Sequence, residues 1–304
     1  MVQPEYRDLY HAGELGKRAM EIHRKLENCD LCPRKCHINR IKGETGSCGV
    51  GELAWVSSYG PHHGEEEPLR GRYGSGTIFF SGCNLHCVYC QNAEISQQLS
   101  GRPVTTRELS SFMLELQTLG CHNINLVSPT HVAGQIAMAI AMAAEHGLSL
   151  PIVYNTGGYD SLETLALLDG MIDIYMPDMK YADAQIGKKY SKVPNYPEIN
   201  QTVIKEMHRQ VGDLQINSDG IATRGLLIRH LVLPNNLAGT KKIVSFLANN
   251  ISPNTYLNVM DQYHPAFQSN TLPDINRQIS DEEYQQAVQW ALTAGLKRLD
   301  KRRS

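Results

Sequence analysis

Short apolar runs alternate with longer, mixed segments along most of the chain after Gly76. The short runs predict six strands, at residues 77–80, 123–127, 151–154, 171–176, 225–233 and 254–259. The longer segments predict helices at residues 106–119, 132–146, 161–168, 200–211, 237–249 and 281–294. Ser280 and Glu283 predict a capping box at the start of the last helix. Strands and helices in this order are typical of βα units that build a parallel sheet.

Six βα units are fewer than the eight that close a full barrel. We therefore predict an α/β fold with a partial (β/α)6 TIM-type barrel, and an open, doubly wound sheet is the alternative. Ligands of either fold gather at the carboxyl ends of the strands. Five predicted strands are followed by chemically useful side chains, at 81–83, 128–131, 155–158, 176–180 and 260–264. These positions are candidate binding residues, although ordinary solvated turns are polar as well.

The region before Gly76 has a different pattern. Residues 1–28 show helical periodicity and lead into a group of cysteines. Residues 43–76 are rich in glycine, proline and charge, which predicts an irregular connector. We expect an amino-terminal extension at 1–70 with a cysteine-rich metal-binding element, followed by a core domain at 71–304 that ends in a helix.

The composition excludes two classes of partner. The chain has 304 residues and a formal charge of -2, so it lacks the basic surface that nucleic-acid binding requires. The basic residues at 297–303 are interpreted as a solvated helix end. The most apolar helix, at 132–144, is shorter than the ~18 residues of a membrane span, and the first residues do not resemble a secretory signal. We therefore expect a cytoplasmic protein without nucleic-acid or membrane partners.

Seven of the eight cysteines fall into two groups. Disulfides are not expected in a reducing compartment, where a core of this size needs no covalent staples. Clustered thiols there indicate metal binding. The groups are Cys29, Cys32, Cys36 and Cys48, and then Cys83, Cys87 and Cys90. Cys121 stands apart and is interpreted as a small buried thiol at the start of the second strand.

The second cysteine group lies in one short loop directly after the first predicted strand, with the spacing Cys-x3-Cys-x2-Cys. Thiolates are the ligands of iron-sulfur clusters, and a 4Fe-4S cluster takes four of them. Three local thiols leave one iron with an open position, which distinguishes a reactive metal site from a closed structural one. A zinc site completed by His86 and an electron-transfer cluster completed by Cys121 are the alternatives.

This motif, with Tyr89 before its last cysteine, resembles the signature of the radical S-adenosylmethionine superfamily. The resemblance implies a 4Fe-4S cluster on Cys83, Cys87 and Cys90, which act as the catalytic residues, and an open iron that binds S-adenosylmethionine. It also implies reductive cleavage of that cofactor to a 5'-deoxyadenosyl radical. A flavodoxin or ferredoxin is then expected as the electron donor.

Four further segments are similar to proteins described as homologues of pyruvate formate-lyase activating enzyme. They lie at 87–92, 175–180, 228–234 and 258–265. This resemblance implies that Arg229 binds the carboxylate of the cofactor, and that Asp178 and His264 line the same pocket. It also implies that Tyr89 and the backbone at Met260 lie near the adenine.

The same family holds a monovalent cation with an aspartate-threonine pair, a methionine and a second aspartate. The corresponding residues in this chain are Asn155, Thr156, Met176 and Asp178. Asn155 in place of the first aspartate removes one negative charge from the expected cation site. We keep Asn155 as a candidate cofactor-binding residue.

A second departure from the family lies at the end of the second strand. The family places a Gly-Gly-Glu stretch there to bind the ammonium group of the cofactor, and this chain has residues 128–131 instead. We expect Ser128, Thr130 or backbone carbonyls to hold the ammonium group. His131 is a candidate either for substrate-side chemistry or for capping the helix that follows.

The first cysteine group supplies four thiols within residues 29–48. Four thiolates close either a tetrahedral zinc site or a second iron-sulfur cluster, and both are candidates. Gly43, Gly46 and Gly49 indicate tight turns around the metal. The acidic segment at 61–69 is interpreted as part of a substrate lid or as a solvated turn.

Three functions are compatible with these features. The first is a radical enzyme that abstracts a hydrogen atom from a protein or peptide, including activation of a glycyl radical enzyme. The second is a radical enzyme that acts on a small metabolite or modifies a peptide without any link to glycyl radicals. The third is a noncatalytic iron-sulfur or zinc-binding protein. A resemblance at the cofactor site does not identify the substrate, because one fold supports many reactions.

Overall fold

The computed structural model describes residues 3–300. Its strands are β1 Ala54–His62, β2 Ser75–Phe80, β3 Arg102–Val104, β4 Ile124–Val127, β5 Ile152–Thr156, β6 Ile174–Pro177, β7 Gln215–Ile216, β8 Ala222–Leu231, β9 Tyr256–Met260 and β10 Arg298–Leu299. The strand order across the sheet is β10-β9-β8-β6-β5-β4-β2-β1-β3, and β7 pairs with β8.

The six predicted strands are confirmed as β2, β4, β5, β6, β8 and β9. Each pairs in parallel with the next along the sheet. The short strand β10 continues the parallel order beyond β9. Because the path of paired strands ends at β3 and β10 rather than closing, the architecture is the predicted α/β partial barrel.

Helices connect and cover these strands. They are α1 Glu5–His11, α2 Leu15–Arg24, α3 Glu67–Arg70, α4 Ala93–Ser96, α5 Thr106–Thr118, α6 Ala133–Glu145, α7 Leu162–Leu168, α8 Ala184–Ser191, α9 Tyr196–Val211, α10 Thr240–Phe246 and α11 Asp281–Thr293. The predicted helix at 237–249 divides into α10 and a π-helical turn, Leu247–Ile251. The capping box of Ser280 and Glu283 is confirmed. Within residues 3–300, every helix is too short or too polar to cross a membrane.

The prediction of an irregular connector at 43–76 is wrong for residues 54–62. They form β1, which pairs antiparallel with β2 and with β3. Gly60 and Pro61 suggested a loop. However, β3 pairs only with the first residues of β1, so at Pro61 the strand β1 has a partner on one side only, which is β2. A proline is tolerated at such an edge because it removes no needed hydrogen bond.

The amino-terminal helices pack on the barrel. Tyr6 of α1 and Ile22 of α2 are fully buried, and they belong to the same hydrophobic core as Ile136 of α6. Gly134 permits this contact, because a Cβ atom there would lie 3.1 Å from the Cα atom of His23.

The interpretation of the basic residues at 297–303 as a solvated helix end is wrong for Arg298 and Leu299, which form β10 beside β9. Residues 301–303 of this tail lie outside the described residues.

Candidate functional site

The carboxyl ends of the six parallel strands surround a cavity of about 300 Å³. Most of the residues singled out from the sequence line this one cavity. They are Cys83, Cys87, Tyr89, Cys90, Ser128, Thr130, Asn155, Asp178, Arg229 and Met260. The expectation that ligand-binding groups gather at this end of the sheet therefore agrees with the arrangement of these side chains.

The loop after β2 presents the three thiols to the cavity. Its backbone is anchored on the end of α8, because the amide of His86 donates to the carbonyl of Ser191 and the amide of Val88 donates to the carbonyl of Tyr190. Gly82 has a φ of 84°, and a side chain there would collide with the backbone of Cys48. Glycine is therefore required at the turn that leads into the thiol loop.

Hydroxyl groups lie beside two of the three sulfurs. The Sγ atom of Cys87 lies 2.9 Å from the Oγ atom of Ser191, and the Sγ atom of Cys90 lies 3.1 Å from the Oγ atom of Ser96. Burial raises the pKa of Cys83 to about 12, and the neighbouring thiols of Cys87 and Cys90 add to the increase. The thiol of Cys83 is therefore neutral by itself, and ligation of a cation would supply the driving force for its ionisation.

Tyr89 belongs to a buried group of tyrosines on one side of the cavity. Its hydroxyl lies 2.5 Å from that of Tyr181, and the Tyr181 hydroxyl lies 2.7 Å from the Oγ atom of Ser191. Because Ser191 also contacts Cys87, a chain of hydrogen bonds runs from the hydroxyl of Tyr89 through Tyr181 and Ser191 to the sulfur of Cys87. The ring of Tyr263 packs edge-on against Tyr89 with centroids 5.8 Å apart. This packing fixes the orientation of Tyr89 in the cavity wall.

A largely buried charge group lines the same cavity as the thiols. The Asp178 carboxylate accepts from the Nε atom of Arg229 at 3.0 Å and from the Nζ atom of Lys180 at 2.6 Å. Burial alone would raise the pKa of Asp178, but the positive charges of Lys180 and Arg229 outweigh it and hold that pKa below its usual value. Two cations share this carboxylate, and the nearby carboxylates of Glu65 and Glu66 further raise the pKa of Arg229.

His230, next to Arg229 on β8, fixes the loop that contains Asp178. Its Nδ1 atom donates to the carbonyl of Met179 at 2.7 Å, and its Nε2 atom accepts from the hydroxyl of Thr240 at 2.9 Å. Burial lowers the pKa of His230 from 6.5 to about 4. In the unfolded chain this imidazole therefore binds a proton near pH 6.5, whereas in the folded chain it stays neutral until the pH falls to about 4. Stability falls as the pH decreases through this window.

Replacement of His230 by glutamine is expected to flatten this pH dependence. Between pH 7 and pH 5 the buried imidazole should account for about 2 kcal/mol of lost unfolding free energy, which the glutamine variant does not lose. Urea unfolding of both proteins at the two pH values measures the difference in slope. Equal slopes in the two proteins would contradict a neutral, buried His230.

The polar residues after β4 and β5 surround a buried carboxylate that sequence reasoning missed. Asp160 accepts hydrogen bonds from Thr130 at 2.7 Å, from Thr156 at 2.7 Å and from Tyr154 at 3.1 Å. Burial raises the pKa of Asp160, whereas these three hydroxyls lower it. The hydroxyl of Thr130 is therefore already used in hydrogen bonds within the cavity wall. Of the two candidate hydroxyls, that of Ser128 is the more available to a ligand.

His131 also lines the cavity. Its Nε2 atom donates to the carbonyl of Ser81 at 2.8 Å, and burial lowers its pKa to about 4. The alternative prediction that His131 caps the next helix is wrong, because α6 begins at Ala133 with Val132 as its N-cap and has no side-chain cap. The ring instead connects the cavity wall to the loop that precedes Cys83.

Four other residues considered from the sequence lie outside the lining of this cavity. His264 is exposed and contacts Gln91 at 3.2 Å. Met176, the expected cation ligand, packs in a separate apolar cluster within the sheet. His86 uses its two ring nitrogens on Ser47 and Gln97. Cys121 is buried at the amino end of β4, as predicted, and belongs to the hydrophobic core.

The acidic segment before α3 contributes to a second cavity that adjoins the first. Glu65 and Glu66 line it together with Asn155 and Arg229, which line both cavities. Only 7% of Glu65 and 3% of Glu66 are exposed, so the interpretation of this segment as a solvated turn is wrong. Asn258 donates to one oxygen of Glu66 at 2.8 Å, and the other oxygen has no hydrogen-bond partner among residues 3–300.

The four cysteines of the first group line another, narrower cavity behind the thiol loop. Asn84 and His131 line both this cavity and the large one. In the part of the chain that the structure describes, no three cysteine, histidine, aspartate or glutamate side chains form a group that could hold a single metal ion.

Comparison with known proteins places these features in a family. The model of the radical SAM superfamily matches residues 77–230, about half of the chain. Two uncharacterized proteins of Methanocaldococcus jannaschii are similar along most of the length. One is 34% identical over 90% of this chain and 77% of its own, and the other is 23% identical over 84% and 77%.

Among solved structures, a radical SAM methyltransferase from Sphaerobacter thermophilus has a TM-score of 0.47 and 16% sequence identity to this chain. The similarity covers 72% of this chain. It spans 64% of the methyltransferase chain, slightly less than two thirds of its length.

Proposed function

Because the chain belongs to the radical SAM superfamily, whose members use a 4Fe-4S cluster and S-adenosylmethionine, we propose that Cys83, Cys87 and Cys90 hold that cluster in the large cavity. The observation that carries the proposal is that three thiols of one loop line the same cavity as Asp178 and Arg229. When bound, the cluster supplies the electron that cleaves S-adenosylmethionine to methionine and a 5'-deoxyadenosyl radical.

The residues around the thiols fit an anionic group. Thiolate ligands give a cluster a net negative charge, and the hydroxyls of Ser191 and Ser96 can donate to the sulfurs of Cys87 and Cys90. Such hydrogen bonds stabilise ligand sulfurs and adjust the redox potential of a cluster. Lys180 lines the same cavity, and its positive charge opposes the rise in pKa that burial causes at Cys83 and Cys87.

The cofactor is proposed to lie between the thiols and the charge group. Arg229 and Lys180 bind its carboxylate, because both cations line the cavity that contains the thiols. Ser128 holds the ammonium group at the end of β4. Tyr89 and Met260 form the apolar wall against the adenine, and both are largely buried. Asn155 completes this side of the cavity.

We further propose that the radical abstracts a hydrogen atom from a protein or peptide. This proposal is supported by the four segments that are similar to homologues of pyruvate formate-lyase activating enzyme. The cavity continues into the space beside Glu65 and Glu66, which gives a substrate access next to the cofactor. A flavodoxin or ferredoxin is the proposed electron donor.

Anaerobic turnover tests the function directly. Protein reconstituted with iron and sulfide and reduced with dithionite should convert S-adenosylmethionine to 5'-deoxyadenosine and methionine, measured by liquid chromatography. Addition of S-adenosylmethionine should also change the electron paramagnetic resonance (EPR) spectrum of the reduced cluster, because the open iron gains ligands. A spectrum that is unchanged by S-adenosylmethionine, with no 5'-deoxyadenosine formed, would reject the proposal.

A further inference from the structure

We propose that Cys29, Cys32, Cys36 and Cys48 hold a second, fully coordinated iron-sulfur cluster that passes electrons to the centre at the large cavity. The electron-transfer role of the second cluster rests on the proposed function of the first. Whether the four cysteines bind iron does not depend on that function. The four cysteines line one narrow cavity, although they come from two separate turns of the chain. Four thiolates satisfy every iron of a 4Fe-4S cluster, so this centre would have no open position for a substrate.

The first turn places three of these thiols on the wall of one cavity. The amide of His37 donates to the carbonyl of Cys29 at 3.0 Å, and the amide of Lys35 donates to the carbonyl of Cys32 at 3.0 Å. Lys35 and His37 both have a positive φ, at 42° and 54°. Non-glycine residues adopt this conformation at a cost in free energy, which is consistent with a local structure fixed by ligation.

The second turn brings Cys48 to the same cavity. Gly43 and Gly49 have left-handed backbone, with φ of 85° and 76°. Gly46 packs directly on Cys36, because a Cβ atom there would lie 2.8 Å from the Sγ atom. A side chain at Gly46 would therefore displace a ligand sulfur, and the prediction of tight turns at these glycines agrees with this packing.

A buried cation faces the four thiols. Arg40 is 1% exposed and lines the narrow cavity, with its Nη1 atom 3.8 Å from the sulfur of Cys29. It donates to the carbonyls of Gly51 and His131, but its Nη2 atom has no hydrogen-bond partner within residues 3–300. A guanidinium group is expensive to bury without a compensating anion. A cluster with four thiolate ligands carries the negative charge that this arginine requires.

The position of the narrow cavity favours an electron-transfer centre over an inert zinc ion. The carbonyl oxygen of Cys48 lies against Gly82, the residue before the cluster ligand Cys83. Asn84, the residue after it, lines both cavities. Ser47 also contacts His86 of the thiol loop at 2.8 Å. The two cysteine groups are therefore separated by one layer of protein.

The redox step at this centre changes no covalent bond. A one-electron carrier of the flavodoxin or ferredoxin class reduces the second cluster, which returns to its oxidised state when it passes the same electron to the first cluster. Cys36 and Cys48 are partly exposed, so the electron can enter from the surface. The large cavity meanwhile remains available to S-adenosylmethionine and substrate.

Metal analysis of two sets of variants tests the proposal. The triple variant Cys83→Ala, Cys87→Ala, Cys90→Ala, purified and reconstituted anaerobically, should retain about four irons and four sulfides per chain. The double variant Cys32→Ser, Cys36→Ser should also retain about four irons, together with the EPR response to S-adenosylmethionine. Wild type and the control Cys121→Ala should contain about eight irons.

The outcomes separate this proposal from the proposed function. One zinc and no iron in the triple variant, or neither metal, would overturn the second cluster even if wild type cleaves S-adenosylmethionine. Four irons in the triple variant would support the second cluster even if S-adenosylmethionine does not change the EPR spectrum of wild type. Because cysteine variants can misfold, Arg40→Gln provides a second measurement. It should keep the irons and lower the reduction potential of the second cluster, since a nearby positive charge favours the added electron.

Discussion

Cys87→Ala should lower the rate of 5'-deoxyadenosine formation by about 100-fold or more, because even residues that only support metal ligands typically account for 10- to 100-fold. The variant keeps two of the three thiols that line the large cavity, and two ligands do not hold a cluster with a single open iron. It also removes the sulfur that Ser191 contacts. The rate is measured anaerobically with dithionite as reductant, and iron content is measured on the same samples.

The matched control is Cys121→Ala. Cys121 is as buried as Cys87 but belongs to the hydrophobic core at the other end of β4. The control should keep its iron and its rate of 5'-deoxyadenosine formation. If Cys87→Ala retained both, the assignment of the cluster to this loop would be wrong. If both variants lost activity, the loss would reflect a general sensitivity to cysteine replacement.

Asp178→Asn should lower the free energy of unfolding by about 3–5 kcal/mol, the usual cost of removing one partner from a buried charge group. The variant leaves Lys180 and Arg229, whose side chains are 18% and 22% exposed, beside a neutral amide. Only 12% of the Asp178 side chain is exposed, so water compensates little of the lost attraction. Because the carboxylate also positions Arg229, we expect a loss of S-adenosylmethionine binding. Urea unfolding and a binding titration measure the two effects.

The exposed pair of Lys189 and Asp274 provides the control for Asp178. Its atoms lie 2.5 Å apart, but about half of each side chain is exposed. Asp274→Asn should therefore change the unfolding free energy much less than Asp178→Asn does. A similar small effect of Asp178→Asn would show that its charge group is well solvated.

The pH dependence of the unfolding free energy shows whether the ionised Asp178 stabilises the folded protein. Lys180 and Arg229 hold the pKa of Asp178 below its usual value despite burial. The carboxylate therefore stabilises the fold above the pKa of an unfolded aspartate, and this contribution is lost as the pH falls towards the lower pKa of the folded state. The asparagine variant should lack that acid-induced loss.

The regular part of the fold was predictable because its signals are local. Each parallel strand is a short apolar run, and the capping box at Ser280 involves residues three positions apart. β1 was missed because Gly60 and Pro61 interrupt its pattern, and because its partner strands supply the hydrogen bonds that stabilise it. Pairing between distant segments is not visible in the local sequence.

The candidate site shows the same limit. The thiols share one motif, so their proximity could be predicted from spacing alone. Lys180 stands in a strand-end segment and could have been assigned from its position after β6. Ser191 gave no signal, because it reaches Cys87 from 104 positions along the chain. Asp160 is a single carboxylate in a loop, and only the three-dimensional structure shows the hydroxyls around it.

The packing of α2 against α6 has a practical consequence for anyone who dissects this protein. The two helices meet at Gly134 with backbone almost in contact, and Ile136 and Ile140 of α6 are fully buried. A fragment that starts at Gly71 would expose this apolar face to water, and large exposed apolar patches lead to aggregation. Expression trials of the barrel should therefore keep the first two helices, and chimeras with related enzymes should exchange α2 and α6 as a pair.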